Sequence, residues 1–460
     1  MAFTSKMGCY ASEDIMLELT QEFTQSLFDT YKANPKFGAV ENAVTKNGLL
    51  NSLENRASHA ANLPVFSIDL TNDPVSNQKQ SGRCWMFAAL NTFRHKILTE
   101  FKLENFELSQ AYTFFWDKYE KSNWFLEQII GTSDLELGDR KLKFLLDVPQ
   151  QDGGQWDMVV ALFQKYGVVP KAIYPESISS SASRELNQYL NKLLRQDAQI
   201  LRELIKTGGD VAAKKAELLQ EVFNYLSMTL GLPPQAFEFE YRDKDNAFHK
   251  LANVTPQAFY DQFVNLNLDD YVSVINAPTA DKPYNQSYTV EFLGNVVGAR
   301  DVKHLNVDME RFKQLAIEQL QAGETVWFGC DVGQESNRKD GLLTLDAYDF
   351  SAMDIAFTQD KASRLDYSES LMTHAMVLTG VDLDDTGYPL KWKVENSWGD
   401  AVGKKGYFTA SDAWMDEYTY QIVIRKDFLN DVELAAYDAQ PISLLPWDPM
   451  GALASSFTSF

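Results

Sequence analysis

Cysteine is scarce in this chain: three residues, Cys9, Cys84 and Cys330, among 460. An odd, sparse set gives no disulfide framework, and free thiols fit a reducing cytoplasm. No run of about eighteen apolar residues occurs, so no membrane helix is expected. Glu13 and Asp14 precede any apolar stretch that would act as a signal sequence, which argues against secretion. Basic residues are in deficit, 42 Lys and Arg against 64 Asp and Glu, for a formal net charge of −22. Phosphate binding needs clustered cations, so nucleic acid is a poor partner. The acidic residues lack metal-ligand spacing and there is no Cys-x-x-Cys. Asp382-Leu-Asp-Asp385 reads as a solvated turn, because a calcium loop needs ligands continuing to a twelfth position. Neither metal nor cofactor is expected. No internal repeat or low-complexity tract is present. What is there, 460 residues at 45% hydrophobic content, suffices for a large core divided into two or three modules.

One stretch concentrates chemistry. Gln78-Lys-Gln-Ser-Gly-Arg-Cys84-Trp85 puts a cysteine at the head of the apolar run Cys84–Leu90, just after the turn residues Ser81 and Gly82. The pattern predicts a buried helix starting near Ser81 or Gly82, with Cys84 in its first turn. Unpaired N–H groups and the positive end of the helix dipole favour an anion there and lower the thiol pKa. A carbonyl attacked by sulfur develops charge on oxygen, which the Cys84 N–H and the Gln78 side-chain amide are placed to stabilise.

Such a nucleophile needs a base, and the base needs an orienting partner. Of five histidines, His59, His95, His249 and His304 have no second feature and read as surface or packing residues. His374 interrupts the apolar strand-like run Met372–Gly380, which is costly unless the imidazole is partnered. Trp392-Lys-Val-Glu-Asn396-Ser-Trp398-Gly399 follows as a second strand. The Asn396 oxygen would fix the His374 tautomer, turning the other ring nitrogen to Cys84, with Trp398 shielding that bond from water. Cys330 ends a β-type run and reads as core. Gly153-Gly154, in Asp152-Gly-Gly-Gln-Trp-Asp157, is by itself more often a turn than a cleft wall against which an extended chain pairs.

Gln78, Cys84, His374 and Asn396-Ser-Trp-Gly399, in that order, resemble the papain-type cysteine peptidases. Asn77–Trp85, Asp152–Asp157, Tyr166-Gly-Val-Val-Pro170, Val326–Gly333, Thr373-His-Ala375 and Pro446–Ala454 resemble more closely the bleomycin hydrolase and aminopeptidase C branch. Arg83 stands where a small residue commonly precedes the cysteine, and 290 residues separate Cys84 from His374, as in that branch. The resemblance implies an α+β fold. Its papain-like two-lobed core has a helical lobe carrying Cys84 with Trp85 and a β-barrel lobe carrying His374 and Asn396, and a large, mostly helical insertion interrupts it. It also implies a cytosolic aminopeptidase that takes peptides with a free N-terminus and needs no cofactor. By the same resemblance the assembly is a ring-shaped homohexamer, and a terminal arm ending near Ala454 lies in the cleft so that its carboxylate pairs with the substrate amine. On the residues alone two rivals stay open: an endopeptidase or acyl transferase on the same scaffold, and a non-catalytic binding or scaffolding protein.

Along the chain, residues 1–63 read as an N-terminal helical arm and 64–177 as the nucleophile lobe. Residues 178–300 read as the inserted region and 301–454 as the His and Asn lobe. Ile178–Ser183 reads as a flexible junction before two amphipathic helices, Arg184–Lys206 and Val211–Leu230, whose apolar face must be buried in the chain's own core or at a subunit interface. Phe237–Tyr241 and Ser287–Leu293 alternate like strands within the insertion. Residues 455–460 form an extension past Ala454: either the enzyme trims it, or it is a remnant or a tail that bypasses the cleft.

Overall fold

The computed structural model describes residues 19–71 and 74–455. Cys9, the leader with Glu13 and Asp14, and residues 456–460 lie outside them. The chain forms two compact units, one of residues up to Asn55 with Tyr348–Phe357, the other of Arg56–Ala347 and Thr358 onward. In the first, Thr20 caps the Gln21–Ala33 helix by accepting from the Phe23 N–H at 3.1 Å. Neither that helix nor Phe37–Asn47 buries any residue.

In the second unit the helices Cys84–Glu100, Gln110–Gly131, Arg140–Asp147 and Trp156–Tyr166 make one layer around Phe87, Phe93, Phe114, Phe115, Val159 and Phe163. Ser109 and Asp139 cap the second and third through Tyr112 N–H (3.0 Å) and Lys141 N–H (2.8 Å). The hairpin Arg184–Thr207 and Val211–Leu230 turns at Gly208, whose φ of +70° is the left-handed cap that glycine supplies. Its apolar stripe of Leu190, Leu194, Leu201, Leu218, Val222 and Leu226 belongs to the same core and packs on Gln110–Gly131. The face is buried within the chain. The expected flexible junction is instead a short helix, Ile178–Ser181, with Ser177 and Ser180 in a reciprocal capping box. Serine marks loops and helix starts alike, because its hydroxyl satisfies backbone N–H groups in either.

The other layer is a sheet whose strands run Ile442–Leu444, Gln286–Val290, His304–Asn306, Tyr271–Ile275, Thr419–Arg425, Val326–Cys330, His374–Leu383, Pro389–Glu395, Tyr407–Ser411, Leu342–Leu343 and Ser336–Asn337. The helix Met309–Gln321 packs against it over a second core of Phe328, Leu378, Trp392, Trp414 and Ile422. Gln286–Val290, assigned from sequence to the insertion, joins this sheet together with Tyr271–Ile275. Alternation identifies a strand but carries no address for its partner. Phe237–Arg242 and Phe248–Val254 pair separately as a two-stranded ribbon. The layers meet where Trp327 Nε1 donates to the Trp85 carbonyl at 3.0 Å.

Candidate active site

The helix begins at Cys84 itself, two to three residues later than the pattern suggests, with Arg83 as N-cap. Met86 and Phe87 already donate to the Arg83 carbonyl, so Cys84 is the first helical residue and keeps the dipole's positive end. Its side chain is fully buried. The loop before it is tightly held: Gln78 Nε2 donates to the Ser81 carbonyl (2.7 Å), and Ser81 Oγ donates back to the Gln78 carbonyl (2.6 Å). From the sheet side, Ser397 Oγ donates to Gln78 Oε1 (2.6 Å) and Gln78 N–H to the Ser397 carbonyl (2.8 Å). The Gln78 amide therefore has one orientation, set jointly by the Cys84 loop and the residue after Asn396.

His374 opens its strand, paired in register with Cys330. Asn396 follows the adjacent strand, and His374 Nε2 lies 2.9 Å from Asn396 Oδ1. Ser397 N–H also donates to Asn396 Oδ1 (2.7 Å), which fixes the amide as acceptor and His374 Nε2 as donor, leaving Nδ1 as the proton-accepting nitrogen. Trp398 covers the ring at a centroid distance of 4.9 Å. Burial holds His374 down at about 4, the Asn396 bond opposing and Arg338 adding to the shift, so the imidazole is neutral at pH 7. Burial, with Asp331 and Cys84 adding, pushes the Cys330 thiol well above its ordinary range, as a core cysteine requires. The helix carrying Cys84 packs directly on the strand carrying His374.

The double glycine pairs with the chain at Ala454. Ala454 exchanges backbone hydrogen bonds with Gly154 (3.3 Å each way), and Ser455 N–H donates to the carbonyl of Thr373, next to His374, at 3.0 Å. An extended chain thus lies in the cleft between the nucleophile layer and the sheet, paired as an added strand. Side chains at the wall would close it: a Cβ on Gly154 would stand 2.5 Å from the Trp85 ring, one on Gly153 2.7 Å from Ser455 Cβ, and one on Gly82 2.8 Å from the Ser455 carbonyl oxygen. Gln78, Ser397, Asn396, His374 and Trp398 are linked on the sheet side, and Trp85, Gly154 and Ala454 meet on the other, with the Cys84 helix packed on the His374 strand, while Cys330 stays in the core.

This geometry is that of a papain-like cysteine peptidase, and a model of the Peptidase C1-like family matches residues 18–451. The chain belongs to that family, within its bleomycin hydrolase and aminopeptidase C branch. It is 73% identical over 439 residues to aminopeptidase C of Lactococcus lactis subsp. lactis (95% of this chain, 100% of the relative). To bleomycin hydrolase of Mus musculus it is 39% identical over 452 residues (95% and 99%). The crystal structure of PepW from Lactobacillus rhamnosis HN001 superposes with a TM-score of 0.94 at 55% identity, covering 96% of this chain and all of that one.

Sequence reasoning missed the buried charges behind the site. Lys118, Lys121 and Asp117, on Gln110–Gly131, are all at most 5% exposed. Their one signal is the i, i+4 spacing of Asp117 and Lys121, which a solvated helix face shows equally.

Proposed function

We propose that the chain is a cysteine aminopeptidase that releases residues from the free N-terminus of peptides, with Cys84 as nucleophile, His374 as general base and acid, and Asn396 as the residue that orients His374. Neutral His374 takes the thiol proton through Nδ1 as Cys84 attacks the first peptide carbonyl; the Cys84 N–H and the Gln78 amide stabilise the oxyanion. His374 then protonates the leaving amine, and water hydrolyses the thioester by the reverse proton path. The observation that carries the reading is the arm paired to Gly154 at Ala454. In this reading it fills the cleft on one side of Cys84 and leaves room for a single residue before the scissile bond. A carboxylate at Ala454 would face that residue's α-ammonium.

Along the same path Ser455 stands where the substrate's first residue would, its carbonyl beside Gly82. This supports trimming of the tail to near Ala454 by the enzyme itself. A homohexamer fits the exposed apolar residues Phe23, Leu27, Phe28 and Tyr31 on Gln21–Ala33, a face that a second subunit would cover. Among the described residues no helix is long and apolar enough to cross a membrane. A reducing cytoplasm suits the free thiol. The test compares wild type with Cys84→Ala, by hydrolysis of an unblocked aminoacyl fluorogenic amide and by intact mass. The reading requires an active, shortened wild type beside an inactive, full-length variant; an active Cys84→Ala would remove Cys84 from the reaction.

A further inference from the structure

Arg83, the departure from the small residue that commonly precedes a papain-type cysteine, is fully buried beside Cys84. Its Nε donates to Ser81 Oγ (2.7 Å), and Nη1 and Nη2 form a fork on Glu176 (3.0 and 2.9 Å). Its plane is held between the rings of Phe87 and Phe114, 5.1 and 5.0 Å from the guanidinium carbon. Ser81 in turn is bonded both ways to Gln78. Hydrogen bonds therefore run from Glu176 through Arg83 to Ser81, whose hydroxyl holds the Gln78 main chain and whose carbonyl holds the Gln78 side-chain amide.

Asp152 makes the matching clamp from the wall. One carboxylate accepts from Gly82 N–H (2.9 Å), Asn187 Nδ2 (2.7 Å), Ser183 Oγ and Lys118 Nζ (2.7 Å), while its own carbonyl accepts from Trp85 Nε1 (2.7 Å). Burial works against its charge, but Lys118 and the bonds from Ser183 and Asn187 hold it below the ordinary carboxylate range. Lys121, paired with Asp117, donates to the carbonyls of Gln151 and Gly153 (3.0 and 2.7 Å). Gln80 and the 181–183 backbone complete the set, with Gln80 N–H to the Ser181 carbonyl (2.9 Å) and Ser183 N–H to the Gln80 carbonyl (3.3 Å). Ser183 and Asn187 open the helical hairpin, more than 90 residues after Cys84 in sequence.

The three ion pairs Arg83–Glu176, Lys118–Asp152 and Lys121–Asp117 balance in charge, so they project little net field on the thiol. Buried ion pairs also add little stability over well-packed apolar residues. What they do supply is position: their hydrogen bonds fall on residues 78–85 and 151–153, the segments that must hold still around the reacting carbonyl, where a 1 Å displacement costs on the order of a hundredfold in rate.

We infer that Arg83 and Asp152 are positioning residues for the peptidase reaction, through which the start of the helical hairpin, Glu176 to Asn187, holds the Gln78–Cys84 loop and the glycine wall in register. This rests on Cys84 being the nucleophile. The test is a Ser183→Ala/Asn187→Ala double variant, altered only on the hairpin. The expected result is kcat lowered about 10- to 100-fold with KM within threefold, and iodoacetamide modification of Cys84 slowed in parallel, while the protein still melts cooperatively. Glu176→Gln, which preserves size and shape, carries the same measurement should the double variant not accumulate. A folded variant with kcat and alkylation rate within twofold of wild type overturns the inference. The alkylation readout needs no substrate, so a wild type that hydrolyses nothing would defeat the aminopeptidase reading and leave this result interpretable.

Discussion

Asp197, on the hairpin helix Arg184–Thr207, offers a quantitative test of the packing described above. It is 0% exposed, and neither carboxylate oxygen has a hydrogen-bond partner among the described residues. Burial, with Glu221 adding and Lys214 opposing, pushes the carboxyl up to about 7 from 3.8. The native state therefore keeps a proton that the unfolded chain releases near pH 4. Stability contributed by this group is full below pH 4, falls as pH rises from there to about 7, and is flat above. The displacement corresponds to at most about 4 kcal/mol, and relaxation with water entry reduces the expected loss to about 2–3 kcal/mol. Asp197→Asn keeps the shape and removes the titration. The assay is thermal or urea unfolding of wild type and variant at pH 5 and pH 8. Part of the proton-linked stability is already lost at pH 5, so the variant's advantage at pH 8 should exceed its advantage at pH 5 by about 1–2 kcal/mol, a few degrees in Tm. A difference that is the same at both pH values would show that Asp197 is ionised and solvated in the native protein, and that the hairpin does not pack as described.

Iodoacetamide should label Cys84 at least roughly tenfold faster than Cys330, since only Cys84 sits at a helix start beside a base; peptide mapping showing equal labelling would refute that. Asn396→Ala removes the acceptor 2.9 Å from His374 Nε2 and should lower kcat by about tenfold or more at little changed KM. A normal kcat would take Asn396 out of the mechanism. Gly154→Ala would set a Cβ 2.5 Å from the Trp85 ring, so the wall must shift and kcat/KM should fall at least about tenfold, with unchanged steady-state kinetics contradicting the wall's role.

The candidate site was legible because its residues violate their surroundings. His374 and Asn396 are polar groups on apolar strands, and Cys84 follows turn residues at the head of an apolar run, so the pattern itself asks for partners. Helix spans were equally readable where amphipathic spacing is strong, and Val211–Leu230 has the predicted bounds. What sequence withheld was mostly address. The stripe of the hairpin showed that a face is buried, but its partner Gln110–Gly131 carries buried Asp117, Lys118 and Lys121 and reads as partly solvated. Tyr271–Ile275 and Gln286–Val290 could not be assigned to the large sheet, because apart from the short strand His304–Asn306 their partners lie more than 100 residues away at Thr419–Arg425 and Ile442–Leu444. Arg83 was visible as an anomaly, yet its acceptor Glu176 lies 93 residues on, and no local pattern links the two.

The central claim, that an arm at Ala454 confines a Cys84 peptidase to free N-termini, is tested most directly by one comparison. The initial hydrolysis rate of an aminoacyl fluorogenic amide with a free α-amine is measured beside that of its N-acetylated twin, at equal enzyme concentration. The account predicts rapid cleavage of the free amine and a rate on the blocked twin lower by at least about a hundredfold, the loss expected when a buried charged partner goes unmet. Comparable cleavage of both would contradict it, and would make the enzyme an endopeptidase whose arm does not fill the cleft in solution.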